Sequence, residues 1–368
     1  MTVVFYISGH GFGHAVRQIA ILHAFAQARP DVRLIVRTSV SPRLFERSLR
    51  RSVEVQHTVV DIGAVQHGSL DLDVVETVRQ AGAFHRELEA RADVEAALLG
   101  SVGARLVVSD IPALPFLAAS AVGVPSIGIS NFTWDWIYDD YTEVDPDAGP
   151  LAARVAACYA HATEGWRLPM YGGFASFPRL RDLPLVARVG RLERADTRRR
   201  LGLPLDVPLV LVSLGGFGAA GLDIAAAAAS LRGVAEVVIT SHDPFPAMPG
   251  VHRVEEEAMY GGGVRYEDLL RSMDAVASKP GYGIISDCAA NGTSLLYTSR
   301  GRFREYGVLV SEMPRLLRCA FIELPDLVAG RWRHPVQQLF SQPTLTVPPR
   351  PDGASTAATW LSALLPRS

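Results

Sequence analysis

Apolar residues fall along this chain in alternating strand-like and helix-like patterns. Thr2 to Ser8 (TVVFYIS) is a continuous β-rich run, which predicts a strand buried on both faces. A glycine loop, Gly9 to Gly13, follows. Ile19, Leu22, Phe25 and Ala26 then recur at helical spacing within Ala15 to Ala28. The next strand is expected at Arg33 to Arg37, and helices and strands alternate after it. This βαβ rhythm predicts an α/β fold with a parallel, doubly wound sheet.

The same order starts again at Val207 to Leu214 (VPLVLVSL). Gly215-Gly216-Phe217-Gly218 follows, then an Ala-rich helix over Leu222 to Leu231 and a strand over Val234 to Thr240. A looser echo joins Arg105–Ser130 to Asp274–Ser299. Each reads as a strand, a Pro-containing turn, an Ala-rich helix ending at Gly (Gly123, Gly292) and another strand. Phe177 to Arg200 carries Pro178, Pro184 and dense Arg, as a linker and a basic helix start would. The expected division is an N-terminal Rossmann-like domain over 1–191 and a second over 192–350. A last apolar helix in 351–368 is placed to cross back to the first domain.

Composition narrows the classes. A chain of 368 residues suits two domains, and 48% apolar with 20% charged residues lets each bury a core. A formal charge of −2 gives no footprint for nucleic acid or anionic membrane. No apolar stretch approaches the ~20 residues that span a bilayer, and the start has no basic leader, so a soluble cytoplasmic protein is expected. Cys158, Cys288 and Cys319 and the dispersed histidines offer no disulfide framework and no metal site. Of the 36 basic residues only Lys279 is Lys, and it falls inside a candidate motif.

Two glycine turns carry the candidate chemistry. Ser8-Gly9-His10-Gly11-Phe12-Gly13-His14 sits at a strand-to-helix turn, where backbone N–H groups approach an anion or a sugar. It departs from the dinucleotide fingerprint, because His14 holds the third Gly position. The positive end of a helix dipole favours a neutral imidazole at His14, which can accept a proton from an attacking hydroxyl. Such a base needs a carboxylate on its other nitrogen, and Asp110, ending the strand Arg105–Ser109, is the candidate. An N-cap role for Asp110 stands beside that one. In the second half, Ser278-Lys279-Pro280-Gly281-Tyr282-Gly283 opens a helix whose free N–H groups suit a pyrophosphate. Asp287 lies one turn further, within reach of ribose hydroxyls, and Gly215-Gly216 would face the same phosphates. Asn131 to Tyr141 (NFTWDWIYDDY) mixes Trp134, Trp136, Tyr138 and Tyr141 with Asp135, a composition suited to sugar rings or to a packed loop. Asp61 to Asp73 is placed on the acceptor side. Arg300, Arg302 and Arg304 read either as a clamp on an anionic sugar or phosphorylated acceptor or as a solvated basic face.

The pieces GHGFGHAVR (Gly9–Arg17), SNFTWDWIY (Ser130–Tyr138), SKPGYG with its helix (Ser278–Gly292) and LLYTSRGRFREY (Leu295–Tyr306) resemble GT-B glycosyltransferases. The branch they resemble is the N-terminal glycosyltransferase-like region of plant L-arabinokinase and its bacterial relatives. The resemblance implies two Rossmann-like domains facing a cleft, with the acceptor on the first and a nucleotide-sugar, such as a UDP-sugar, on the second. It places the base on His14, its partner on Asp110, the ribose ligand on Asp287, donor-sugar hydroxyls on Glu305 and nucleobase contacts near Val264-Arg265-Tyr266. Asp287 stands where Glu is usual, and Arg302 where an acidic residue is common.

The expectation is therefore an inverting, metal-independent glycosyltransferase with no cofactor beyond its nucleotide-diphosphate sugar. His14 and Asp110 are assigned to catalysis. Gly215, Gly216, Arg265, Lys279, Gly281, Tyr282, Gly283, Asp287 and Glu305 are assigned to the donor, and His10, Phe12, Trp134 and Asp135 to the acceptor. A non-hydrolysing sugar-nucleotide epimerase and a non-catalytic nucleotide-sugar-binding protein are the alternatives.

Overall fold

The computed structural model describes every residue except 11, 50–52, 67–71, 215–220, 241–246, 346–348 and 367–368, and omits the side chains of Phe12 and Arg47. The chain forms two parallel-sheet α/β units. The first holds β1 (Thr2–Ile7), β2 (Arg33–Thr38), β3 (Glu54–His57), a short antiparallel pair β4 (Val65–Gln66) and β5 (Leu72–Asp73), then β6 (Ala104–Asp110), β7 (Ser126–Phe132), β8 (Glu164–Gly172) and β9 (Leu180–Asp182). The second holds β10 (Leu209–Val212), β11 (Glu236–Thr240), β12 (Val251–Val254), β13 (Ala275–Ser278), β14 (Ser294–Tyr297) and β15 (Cys319–Phe321).

The sheet orders are β3-β2-β1-β6-β7-β8-β9 and β12-β11-β10-β13-β14-β15, and all these pairings are parallel. Strands such as β1, β7, β10 and β13 are buried at every position, because helices cover both faces. The strand order reverses once in each sheet, between β1 and β6 in the first and between β10 and β13 in the second. A crevice opens at the carboxyl ends of the strands at such a point. The His14 turn leaves β1, and the Lys279 turn leaves β13, so both glycine motifs lie at these reversals.

The final helix, Gly353–Ala363, lies against the Phe12–Ala28 helix of the first unit. Trp360 meets Trp166 of β8 edge to face at 5.3 Å. Gly353 is required there: a Cβ would come within 2.2 Å of the Pro184 carbonyl oxygen. The Gly353 N–H donates to the Leu185 carbonyl at 3.0 Å, fixing the helix start on the linker. Among the described residues no helix is long and apolar enough to cross a membrane.

Candidate active site at the domain junction

The carboxyl edge of the first sheet brings His14 and Asp110 together. Ile7 and Asp110 are neighbours across β1 and β6, and Ser8 N–H donates to the Asp110 carbonyl at 2.9 Å. The helix begins at Phe12, earlier than the apolar spacing predicts, which puts His14 in its first turn. His14 Nδ1 then lies 2.9 Å from Asp110 Oδ1. The next helix starts at Leu114 with Ala113 at its N-cap, so Asp110 has no capping role.

Asp110 is fully buried, and four nitrogen contacts surround its carboxylate. His14 Nδ1 and Arg17 Nη2 meet Oδ1; Arg17 Nε and Gln18 Nε2 (3.0 Å) meet Oδ2. Burial alone would raise this carboxyl. The Arg17 guanidinium and the His14 ring outweigh it and hold the group well below the usual carboxylate range. Arg17, Gln18, Ser130 and Asn131 were not singled out from the sequence. Their signal was available: an Arg-Gln pair that begins three positions after His14 on the same helix, and a polar pair near the end of a wholly buried strand.

Arg17 carries the network across the cleft. Its Nη1 donates to Asn131 Oδ1, and Asn131 Nδ2 donates to Glu305 Oε1 of the second unit at 2.7 Å. Arg300 Nη1 donates to the other Glu305 oxygen at 2.9 Å. The two glycine turns also approach one another, since a Cβ on Gly283 would lie 3.7 Å from the Gly13 Cα. Phe303 crosses with them. It is buried in the aromatic cluster of the first unit, 6.1 Å from Phe132 and 6.5 Å from His10 between ring centroids.

On the expected acceptor side, the His10 ring meets Trp134 edge to face at 5.7 Å. Gly63 presses on it so closely that a Cβ there would come within 2.2 Å of the His10 Cβ. Burial, then the nearby His14, Arg300 and Lys279, push His10 down to about 3, so it is neutral at physiological pH. Trp134, Tyr138 and Tyr141 are buried and packed, with Trp134 and Tyr138 stacked at 5.4 Å. Their apolar surface is packed into the core. Trp134 Nε1 donates to Asp61 Oδ2 at 3.1 Å. Burial raises the Asp61 carboxyl despite hydrogen bonds from Ser8 and Trp134. Asp135 accepts from the Trp136 N–H at 2.9 Å and from Ser176 Oγ, on a segment 41 residues away, at 2.6 Å. The Phe12 side chain lies outside the described residues.

The donor side differs from expectation at several residues. Asp287 is buried with both oxygens held by Arg188 of the linker: Oδ1 takes the backbone N–H at 2.8 Å, and Oδ2 takes Nη2 at 2.6 Å and Nε at 3.0 Å. Both of its oxygens are thus engaged by the linker. Tyr282 is also turned inward. Its hydroxyl accepts from the Val186 N–H at 3.2 Å, and the Arg17 guanidinium carbon lies 5.4 Å from its ring centre. Arg265 is the N-cap residue of the Tyr266–Ser272 helix and reaches the Ser48 carbonyl at 3.4 Å.

Gly281 caps the Tyr282–Asn291 helix with no side-chain cap, so its first N–H groups face the junction without that competition. Lys279 immediately precedes this turn, and burial, then Arg300, push its amine down to about 8. Gly215 and Gly216 lie outside the described residues. Arg302 and Arg304 both have partners in the first unit. Arg302 pairs with Glu143, and Arg304 donates to the Trp136 carbonyl and to Asp139 Oδ2 (2.9 Å), across the junction.

Comparison with known proteins agrees with this architecture. No family model matches the chain. L-arabinokinase of Arabidopsis thaliana is 26% identical over 342 residues, which is 90% of this chain and 31% of that protein. The chain thus spans under a third of its curated relative. Among solved structures, the glycosyltransferase of kitacinnamycin superposes with a TM-score of 0.67 at 15% identity, covering 99% of both chains. The calicheamicin glycosyltransferase CalG4 gives 0.58 at 15% identity, covering 98% of this chain and 94% of its own. SnogD from Streptomyces nogalater gives 0.57 at 18%, covering 99% of both. The chain has the GT-B α/β fold, and it resembles both the GT-B glycosyltransferases and this part of L-arabinokinase.

Proposed function

We propose that the protein is an inverting glycosyltransferase that moves a sugar from a nucleotide-diphosphate sugar to a hydroxyl acceptor. The observation that carries this reading is the His14–Asp110 pair, held at 2.9 Å at the strand-order reversal of a GT-B fold. His14 takes the acceptor proton on Nε2 while the acceptor oxygen bonds the anomeric carbon. The bond from that carbon to the diphosphate breaks, and its electron pair leaves with the phosphate. Attack opposite the leaving group inverts the centre. Asp110 orients the ring and stabilises the imidazolium that forms. The uncapped N–H groups at Gly281 to Gly283, with Lys279, supply counter-charge to the departing diphosphate, so no step calls for a divalent cation.

Thermal-shift measurements against UDP-, dTDP-, GDP- and ADP-sugars, followed by NMR of the product anomer, test this reading. Stabilisation by one donor class and an inverted product are expected, with turnover unchanged by EDTA and lost in His14→Ala. No stabilisation by any nucleotide, or a retained anomer, overturns it. One observation favours a second reading, a nucleotide-sugar-binding module without turnover: Arg188 already holds both Asp287 oxygens. Donor binding without transfer to any of a panel of sugar and aglycone hydroxyls would select it.

A further inference from the structure

His14 Nδ1 has two neighbours that make opposite demands on it. Asp110 Oδ1, at 2.9 Å, needs a hydrogen from Nδ1, whereas Arg17 Nη2, at 2.8 Å, would give it one. The first arrangement leaves Nε2 with a free lone pair. The second puts the hydrogen on Nε2, where the ring can donate but not accept.

A count of Arg17 hydrogens decides between them. The guanidinium has five N–H bonds. Nε donates to Asp110 Oδ2, and Nη1 donates to Asn131 Oδ1. The two Nη2 hydrogens go to Asp110 Oδ1 and to Ser130 Oγ, the latter at 2.8 Å. Arg17 meets His14 through Nη2, and both Nη2 hydrogens are thereby engaged; the fifth hydrogen is on Nη1. A bare Nδ1 would also set a lone pair against a carboxylate oxygen inside a site with no water access, since Asp110 and Ser130 are fully buried.

We propose that Ser130, acting through Arg17, is a positioning residue that fixes the His14 tautomer. Its hydroxyl occupies the second Nη2 hydrogen, so Nδ1 keeps its proton and Nε2 stays an acceptor. The significance for catalysis rests on the reading of His14 as the base; the tautomer itself does not.

Long-range ¹H–¹⁵N spectra of the histidine-labelled full chain at pH 8 read the tautomer without any substrate. Wild type is expected to show Nδ1–H at His14. Ser130→Ala removes an oxygen and adds no bulk. It should move the population toward Nε2–H and lower kcat 10- to 100-fold, with donor Kd within two-fold. Ser130→Thr, which restores the hydroxyl, should restore both. Ser130→Cys, close in volume but a poor acceptor, gives the same spectral shift should the Ala variant not fold. An unchanged Nδ1–H signal in both the Ala and Cys variants overturns the proposal, as does a Thr variant that behaves like Ala. A shifted tautomer with unchanged kcat would uphold the control by Ser130 and instead remove His14 as the base.

Discussion

Asn131 Nδ2 donates to Glu305 Oε1 at 2.7 Å, while Asn131 Oδ1 accepts from Arg17. One amide thereby joins the His14–Asp110–Arg17 cluster of the first unit to the carboxylate that the glycosyltransferase resemblance assigns to the donor sugar. Both of its ends are needed, because a carboxylate can accept but not donate. Asn131→Asp therefore sets two carboxylates against each other in a buried site. A loss of about 3 kcal/mol in urea unfolding is expected, with a larger radius of gyration in solution scattering. Asn131→Asp with wild-type stability and size would remove this bond from the forces that close the junction.

Removing Arg17 leaves Asp110 buried without its main counter-charge. Arg17→Met, which keeps most of the packing, is expected to cost roughly 3–5 kcal/mol. The pH dependence has a definite sign. The Asp110 carboxyl lies below its ordinary 3.8 in the folded chain, so its stabilising effect is present above that pH and fades as pH falls through the lower folded value. Without Arg17 the folded value rises, and the acid limb of a stability-against-pH curve should move to higher pH. An unmoved acid limb would mean that another group holds Asp110.

Phe303 should matter more to the junction than the arginines around it. Its ring is buried in the aromatic cluster of the other unit, and Phe303→Ala should cost about 3 kcal/mol. The Arg302–Glu143 and Arg304–Asp139 pairs are largely exposed, and such pairs are worth ~0–1 kcal/mol each. The double change Arg302→Ala with Arg304→Ala should therefore cost less than Phe303→Ala, and its effect should shrink in high salt. Denaturation midpoints in the reverse order would make the junction electrostatic.

Asp287 can be assigned by measuring affinity and stability together. As a fastener of Arg188, Asp287→Asn should lower stability by about 2–4 kcal/mol. Donor affinity should stay within a few-fold. A stable variant with much weaker nucleotide binding would return the residue to the ribose role.

His10 predicts a loss of stability in acid. Its value falls from the ordinary 6.5 to about 3 on folding, so between those pH values the unfolded chain binds a proton that the folded chain does not. Stability should decline as pH drops through this window, by roughly 1–2 kcal/mol from His10 at pH 5. Buried His85, pushed down to about 4, acts in the same direction. Urea midpoints at pH 8 and pH 5 should differ less for His10→Gln than for wild type; an equal difference would exclude His10 as a source.

Much of the architecture was legible in the sequence because it repeats. The runs at Thr2–Ser8 and Val207–Leu214 each precede a glycine turn and a helix, and each became the central strand at a reversal of its sheet. The edges were less legible: the second run shortened to Leu209–Val212, and the first helix began at Phe12 instead of Ala15. Hydrophobic periodicity cannot see a first helical turn that holds Gly13 and His14. Side-chain roles were harder still. Asp287 stands in its motif as a ribose ligand would, and only the path of the linker shows that Arg188 meets it first.

The sequence by itself determined the two parallel sheets, the place of each glycine turn and the candidacy of His14 and Asp110. These follow from period, glycine and strand order, which are local or repeated. Tertiary structure alone decided which partners those residues have. Arg17 from a helix, Ser130 and Asn131 from a distant strand, and Glu305 from the other unit meet at one carboxylate network. Arg17, the adjacent Ser130 and Asn131, and Glu305 come from three distant parts of the chain, and a buried charge takes its partners from whatever the packing brings within about 3 Å.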